Sequence, residues 1–236
     1  MDDERTRLLS SVGQWFAAAE QVARYTAEAP QGPTPAEAGL LDHLPTEGRV
    51  LDLGCGAGRL SWPLAQRGFA VVGVDVSRPL LQAAGERCVA SPRQEVFVQV
   101  DPLALPFAGG VFDAIVACKV YGYLPGRSTR RRYLAALRHL LRPGGRLLLS
   151  QQAVPPRHFG SYDDERHRQA AGRFRRLEPG DPFATADGAG CVHWFTPAQL
   201  QRELDASPLA LTVWRDDQGL GGQGYLQLVV LERPYE

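Results

Sequence analysis

Gly54, Gly56 and Gly58 alternate through a short stretch that follows the apolar run Val50 to Leu53, and one acid, Asp52, sits inside that run. Leu60, Leu64 and Ala65 then open a helical pattern. A strand that passes through glycines into a helix leaves a crevice at the strand's C-terminal edge. Glycine suits such a turn because the backbone bends sharply and a ligand must come close to it. The helix N-terminus adds unpaired N–H groups that can hold a carboxylate or a phosphate. The dinucleotide fingerprint G-x-G-x-x-G is not met, because the spacing is G-x-G-x-G and Arg59 stands where that pattern needs glycine. Asp52, just ahead of the turn, opposes a pyrophosphate and suits a ligand that carries an ammonium group.

The turn Leu51-Asp52-Leu53-Gly54-Cys55-Gly56-Ala57-Gly58 closely resembles the first motif of class I S-adenosylmethionine-dependent methyltransferases. Val71 to Ser77 looks like that family's second strand, with Asp75 at its end, and Val100 to Phe107 resembles its third-strand motif. Phe112 to Cys118 is similar to the fourth strand, and Leu141 to Leu149 to the turn into the fifth. The matches fall in order over residues 45–150. The resemblance implies S-adenosylmethionine as cofactor and S-adenosylhomocysteine as product. It implies that Asp52 and the turn Gly54-Cys55-Gly56-Ala57-Gly58 hold the methionine part, and that Asp75 accepts the ribose hydroxyls. Asp101 with Pro102 would meet the adenine edge, and Val76 would pack on its face. Cys55 and Cys118 fall in the two ligand-facing turns.

The elements that must position these residues follow from pattern and resemblance together. The implied fold class is α/β, a Rossmann-like seven-stranded methyltransferase sheet with helices on both faces. Its order is 3-2-1-4-5-7-6, with six parallel strands and the last strand antiparallel, expected at the edge. A single domain over residues 1–236 has four parts: a helical lid at 1–44, a cofactor-binding core at 45–150, a substrate cap inserted at 151–194, and a helix with a strand pair at 195–236. Leu8, Leu9, Val12, Trp15, Phe16, Ala19 and Val22 recur at helical spacing and predict one first helix. That helix either covers the pocket, as in many small-molecule methyltransferases, or packs on the sheet like any other. Thr34-Pro35 and Thr196-Pro197 each read as an N-cap followed by a first-turn proline. Ser128 or Thr129 is expected to cap the helix that precedes strand five. Gly219 to Gly224 matches G-x-G-x-x-G but precedes a strand instead of following one, so it reads as a flexible hairpin loop. Asp163 to Arg176 predicts a charged helix within the cap.

The bulk composition excludes several classes. The chain has 236 residues, 44% hydrophobic and 22% charged, with formal net charge +0. Such a balance exerts no pull toward nucleic acid or an anionic membrane. No apolar run approaches the ~20 residues of a membrane span, and the acidic N-terminus lacks a signal-peptide core. The four cysteines form no C-x-x-C pair, so neither zinc nor another metal is expected. These features predict a reduced, cytoplasmic protein, monomer or homodimer, with no nucleic-acid or membrane partner. Lys119 is the only lysine in a chain whose other basic residues are arginine, a bias of GC-rich bacterial genomes. The cluster Arg130-Arg131-Arg132 reads as a solvated helix face.

Methyl transfer is an in-line displacement at a carbon already activated by a sulfonium. The protein must chiefly align the reactants and exclude water. A hydroxyl or protonated amine acceptor calls for a base, whereas a carboxylate does not. The candidate catalytic residues are His193, Lys119 and Tyr121, with His158 as a further base. His193 could instead hydrogen-bond within the cap. Lys119 could orient an acidic acceptor or bind a backbone carbonyl. The expected function is methyl transfer to a small or medium-sized O- or N-acceptor of specialised metabolism. The alternatives are a peptide or protein methyltransferase and a catalytically silent S-adenosylmethionine-binding module.

Overall fold

The computed structural model describes residues 3–88, 95–157, 181 and 190–235. Seven strands form one sheet: β1 (Arg49–Leu53), β2 (Ala70–Asp75), β3 (Val96–Gln99), β4 (Phe112–Cys118), β5 (Leu141–Gln152), β6 (Ala210–Asp216) and β7 (Leu226–Glu232). Their order is β3-β2-β1-β4-β5-β7-β6, as the resemblance implied. The pairs from β3 to β5 are parallel, and β7 is antiparallel to both β5 and β6. The reversed strand is therefore not at the edge. It lies one place in, with β6 outside it.

Side-chain alternation divides the sheet into two cores, since neighbouring residues of a strand face opposite sides. Leu51, Leu53, Ile115, Leu147, Leu149, Val229 and Leu231 join one cluster with residues of α6 (Arg127–Leu140) and α7 (Pro197–Asp205). Val50, Ala114, Val116, Leu148 and Val230 face the other way, toward α3 (Pro35–Leu41) and α4 (Ser61–Gln66). Burial on both faces is why these strands read as nearly unbroken apolar runs.

Both threonine caps form with their prolines. Thr34 and Glu37 make a reciprocal capping box on α3, and Thr196 and Gln199 make one on α7. The first helix differs from its expected course. It is two helices, α1 (Asp3–Ala17) and α2 (Ala19–Glu28), broken at Ala18, whose ψ of 138° is extended. The break frees the Phe16 carbonyl, which accepts the Ser77 hydroxyl at 2.9 Å and ties the N-terminal helices to the end of β2. The N-cap of α6 is Gly126 (φ 78°), not Ser128 or Thr129. α5 (Arg78–Cys88) follows β2. The glycine-rich loop before β7 is built around Asp217, whose Oδ1 accepts the Gly224 and Leu226 N–H groups at 2.9 and 3.3 Å. His158 and the charged stretch Asp163 to Arg176 lie outside the described residues. Among the described residues no helix is long and apolar enough to cross a membrane.

Candidate active site

The sheet's C-terminal edge opens into a cavity of about 990 Å³. Its floor is the turn after β1. Gly54, Gly56 and Gly58 all have positive φ, +64°, +54° and +78°. A Cβ on Gly54 would meet Val120 at 2.5 Å, so the turn needs glycine there for packing as well as for backbone shape. A Cβ on Gly56 would meet no atom within 4 Å. It would instead enter the space that Gly56 helps to line, so this position is a cradle that any side chain would fill.

Asp75 ends β2 beside that cradle. Its Oδ2 accepts the Gly56 N–H at 2.9 Å and its Oδ1 accepts the Ser77 N–H at 2.8 Å. Burial raises its pKa, and the backbone N–H groups of Ser77, Gly56 and Val76 oppose that rise. The carboxylate is thus oriented by backbone before any ligand arrives. Val76, Cys55 and Pro102 also line the cavity. Asp101 does not join them: it is exposed, its Oδ1 accepts the Leu103 N–H at 2.8 Å, and Pro102 is the lining residue of the pair.

Asp52 shares the face of Val50, which points its carboxylate at α4. There Oδ2 accepts the Ser61 hydroxyl at 2.6 Å. Asp52 is 2% exposed, and burial pushes its pKa up to about 7 against the restraint of Ser61 and Arg59. The Arg59 charge is directed elsewhere. Its guanidinium forks onto Glu37, Nη1 to Oε2 at 2.6 Å and Nη2 to Oε1 at 2.7 Å. Glu37 is fully buried, and burial acts to raise its pKa. Arg59, the Thr34 N–H and Lys119 outweigh burial and bring it to about 2. Cys118 lines the same corner, and burial followed by the Glu37 charge lifts its thiol to about 12.

Of the three candidate catalytic residues only Lys119 lines the cavity. It has φ 60°, a left-handed backbone that is rare outside glycine. Its N–H donates to the Ser150 carbonyl at 2.7 Å. Its side chain is 47% exposed, with Nζ 3.6 Å from Glu37 Oε1. The partner is therefore a buried carboxylate, which neither expected role of Lys119 had included.

Tyr121 and His193 are placed differently from expectation. Tyr121 stacks on Phe195, with centroids 5.6 Å apart, and its hydroxyl donates to Glu203 Oε2 at 3.0 Å. Its hydroxyl is thus engaged away from the cavity, which Tyr121 does not line, and burial and then the Glu203 charge raise its pKa. The same Glu203 takes Arg130 through Nε at 2.9 Å and Nη2 at 2.7 Å. Arg130 is 1% exposed and lies 5.0 Å over the Phe195 ring. The supposed solvated face thus contributes a buried ion pair behind the cavity wall. His193 is 4% exposed, with Nδ1 2.5 Å from Asp181 Oδ1 and its ring edge-on to Phe195. Alternation along this extended stretch explains its direction, because Val192 and Trp194 line the cavity and His193 faces away.

The remaining walls come from helices and the strand-five end. Trp15 and Phe16 of α1, Tyr123 and Trp194 give the cavity an aromatic side. Phe16 packs edge-on to Tyr123 at 5.0 Å. Gln151 Oε1 accepts the Gly122 N–H at 2.9 Å and fixes the loop after β4. Sequence reasoning had not singled out Glu37, Glu203 or Gln21, and Gln21 carried no signal beyond its place in a helical pattern.

Comparison with known proteins matches residues 50–145 to a family model described as a methyltransferase domain. The chain is 37% identical over 106 residues to the putative methyltransferase YqeM of Bacillus subtilis, covering 44% of this chain and 42% of that protein. It is 30% identical over 169 residues to the demethylmenaquinone methyltransferase of Tropheryma whipplei, covering 70% and 68%. The first of these relatives are matched over about half of their length or less. A solved S-adenosylmethionine-dependent methyltransferase of Methanosarcina mazei superposes with TM-score 0.67 at 23% identity, over 83% of this chain and 96% of that one.

Proposed function

The chain belongs to the S-adenosylmethionine-dependent methyltransferases, and from that premise we propose that it methylates an oxygen or nitrogen of a small or medium-sized acceptor held in the cavity. The observation that carries this reading is the continuity of the space. One cavity runs from the Gly56–Asp75 cradle to the aromatic side made by Trp15, Tyr123 and Trp194. About 300–1,000 Å³ is the usual size of a small-molecule site. The relative from Tropheryma whipplei bears the name of a demethylmenaquinone methyltransferase, which favours a small acceptor over a protein one.

The residues present fit the cofactor. Asp75 is an oriented carboxylate suited to paired ribose hydroxyls, and Asp52 lines the cavity with no ion-pair partner among the described residues, which suits an ammonium. Gly56 leaves room for close approach, and Val76 and Pro102 offer apolar surface to an adenine. Bound there, S-adenosylmethionine supplies a methyl group on a positively charged sulfur. The chain's own residues hold the acceptor in line, and the N-terminal helices exclude water. With Tyr121 and His193 turned away, Lys119 is, among the described candidates, the titratable one that lines the cavity. Its ammonium orients an anionic oxygen of the acceptor, a phenolate or a carboxylate. Its left-handed backbone, costing about 1–2 kcal/mol, is consistent with a position set by that task.

Calorimetric titration with S-adenosylhomocysteine tests the site, and turnover on a panel of phenols, amines and carboxylates tests the reaction. The wild type is expected to bind the product, and Asp75→Asn to weaken binding by about 1.5–3 kcal/mol. A folded wild type that ignores S-adenosylhomocysteine overturns the reading. Tight binding with no turnover on any acceptor leaves a binding module.

A further inference from the structure

Arg59 follows the glycine turn directly and meets Glu37 with only part of its hydrogen-bonding capacity. A guanidinium carries five N–H donors in one fixed plane. Nη1 donates to the Gly32 carbonyl at 2.9 Å and to Glu37 Oε2, and Nη2 donates to Glu37 Oε1. That leaves Nε–H and the second N–H of Nη2. The two lie side by side on one edge of the plane, an edge that takes a carboxylate as a two-pronged fork. Among the described residues neither has an acceptor. Arg59 is not sealed in the interior, since its side chain is 25% exposed and lines the cavity.

The charges around it suit the zwitterionic end of an amino acid. Asp52 and Arg59 stand on either side of the turn Gly54 to Gly58, and each lies within electrostatic reach of the other. Arg59 and Lys119 share the single carboxylate of Glu37, so this group of three has one positive charge over. An α-ammonium and an α-carboxylate sit on the same carbon. A ligand whose ammonium meets Asp52 therefore brings its carboxylate to this corner. The other cations on the cavity wall are less suited to it. Arg24 is paired with Glu28 and lies over the Tyr25 ring, and Lys119 offers a point charge without a fork.

On the reading that the cavity holds an S-adenosyl ligand, we infer that Arg59 is the contact for the carboxylate of its methionine part, with Nε and Nη2 donating to the two oxygens. Glu37 is then a positioning residue. By holding the end of the guanidinium it aims the remaining edge. Asp52 and Arg59 together distinguish a ligand with a complete amino-acid end from a truncated nucleoside.

Two ligands isolate the carboxylate: S-adenosylhomocysteine, and its decarboxylated form, which keeps the nucleoside, the thioether and the ammonium. Calorimetry should show the wild type binding S-adenosylhomocysteine about tenfold or more tightly than the decarboxylated form, as hydrogen bonds to a charged group imply. Arg59→Lys keeps a cation for Glu37 and removes the fork. It should weaken S-adenosylhomocysteine by a similar factor and leave the affinity for the decarboxylated form unchanged. A residue that serves only the fold would weaken both ligands alike. Equal wild-type affinity for the two ligands, or equal loss of both in the variant, overturns the inference and leaves the cofactor site in place. Failure of the wild type to bind S-adenosylhomocysteine overturns the site itself. A wild-type crystal with S-adenosylhomocysteine gives a check that needs no variant. A carboxylate oxygen within about 3.2 Å of Arg59 Nε or Nη2 supports the contact, and a carboxylate held by Lys119 or by the backbone of the turn alone refutes it.

Discussion

Two buried acids at the sheet's end respond to pH in opposite senses. Asp52 keeps its proton in the folded protein up to about 7, whereas its ordinary value is 3.8. Between those values the folded state binds more protons than the unfolded one, so the Asp52 contribution to stability falls as pH rises. Glu37 has its value lowered from 4.5 to about 2, so its contribution is present above 4.5 and lost as pH falls toward 2. Asp52→Asn, which can still accept from Ser61, is expected to flatten the decline from about pH 4 to pH 7. Urea unfolding across that range measures it, and a variant parallel to the wild type would show that Asp52 is already ionised. Glu37→Gln should instead flatten the acid limb and lower stability at pH 7. The turn and its two acids, Asp52 and Asp75, were legible in the sequence because one local stretch specifies each. Glu37 was not, because Arg59 lies 22 residues away and Lys119 farther still. A helix-capping glutamate looks the same whether or not it also meets a guanidinium.

The helices behind the cavity are joined by polar contacts. Arg130 of α6 and Glu203 of α7 form a buried pair that also anchors the Tyr121 hydroxyl. Breaking such a pair strands a charge in the interior, so Arg130→Met should destabilise the protein by about 3–5 kcal/mol. Adding Glu203→Leu should recover most of that loss, because the second charge is then gone as well. Chemical denaturation of both variants tests this, and a double variant no more stable than the single one would contradict it. This pair was hidden in the sequence by its surroundings. Arg130 stands in a run of three arginines, and only the phase of α6 shows that one of them faces inward. The break at Ala18 was hidden for a different reason. The apolar repeat continues across it, and the Ser77 hydroxyl that occupies the Phe16 carbonyl is 61 residues away.

Across the whole molecule, the part expected to stay rigid and the part expected to respond to ligand are distinct. The central strands are buried on both faces. The N-terminal helices line the cavity, pack on α5 and Cys191, and are tied to the end of β2 by the Ser77–Phe16 bond. S-adenosylhomocysteine is therefore expected to slow amide hydrogen exchange in α1 and α2 and to leave β4 and β5 unchanged. Protection confined to residues 54–58 would mean that the helices take no part in holding the ligand. The strand order was legible only through the resemblance, because the family's motifs fall in sequence order, while the apolar runs showed no more than that the parallel strands are covered on both faces. The inner place of the reversed strand depends on pairing, which no local pattern records.

That place has a consequence for biosynthesis. β7 is the last strand of the sheet to be made, yet it fills the gap between β5 and β6, and among the described residues β6 pairs with no other strand. Until it slots in, β5 carries an open row of amides and carbonyls and β6 belongs to no sheet. A nascent chain thus lacks its keystone, and stays exposed to unwanted strand pairing, from the completion of β5 at Gln152 until β7 is made at Leu226–Glu232.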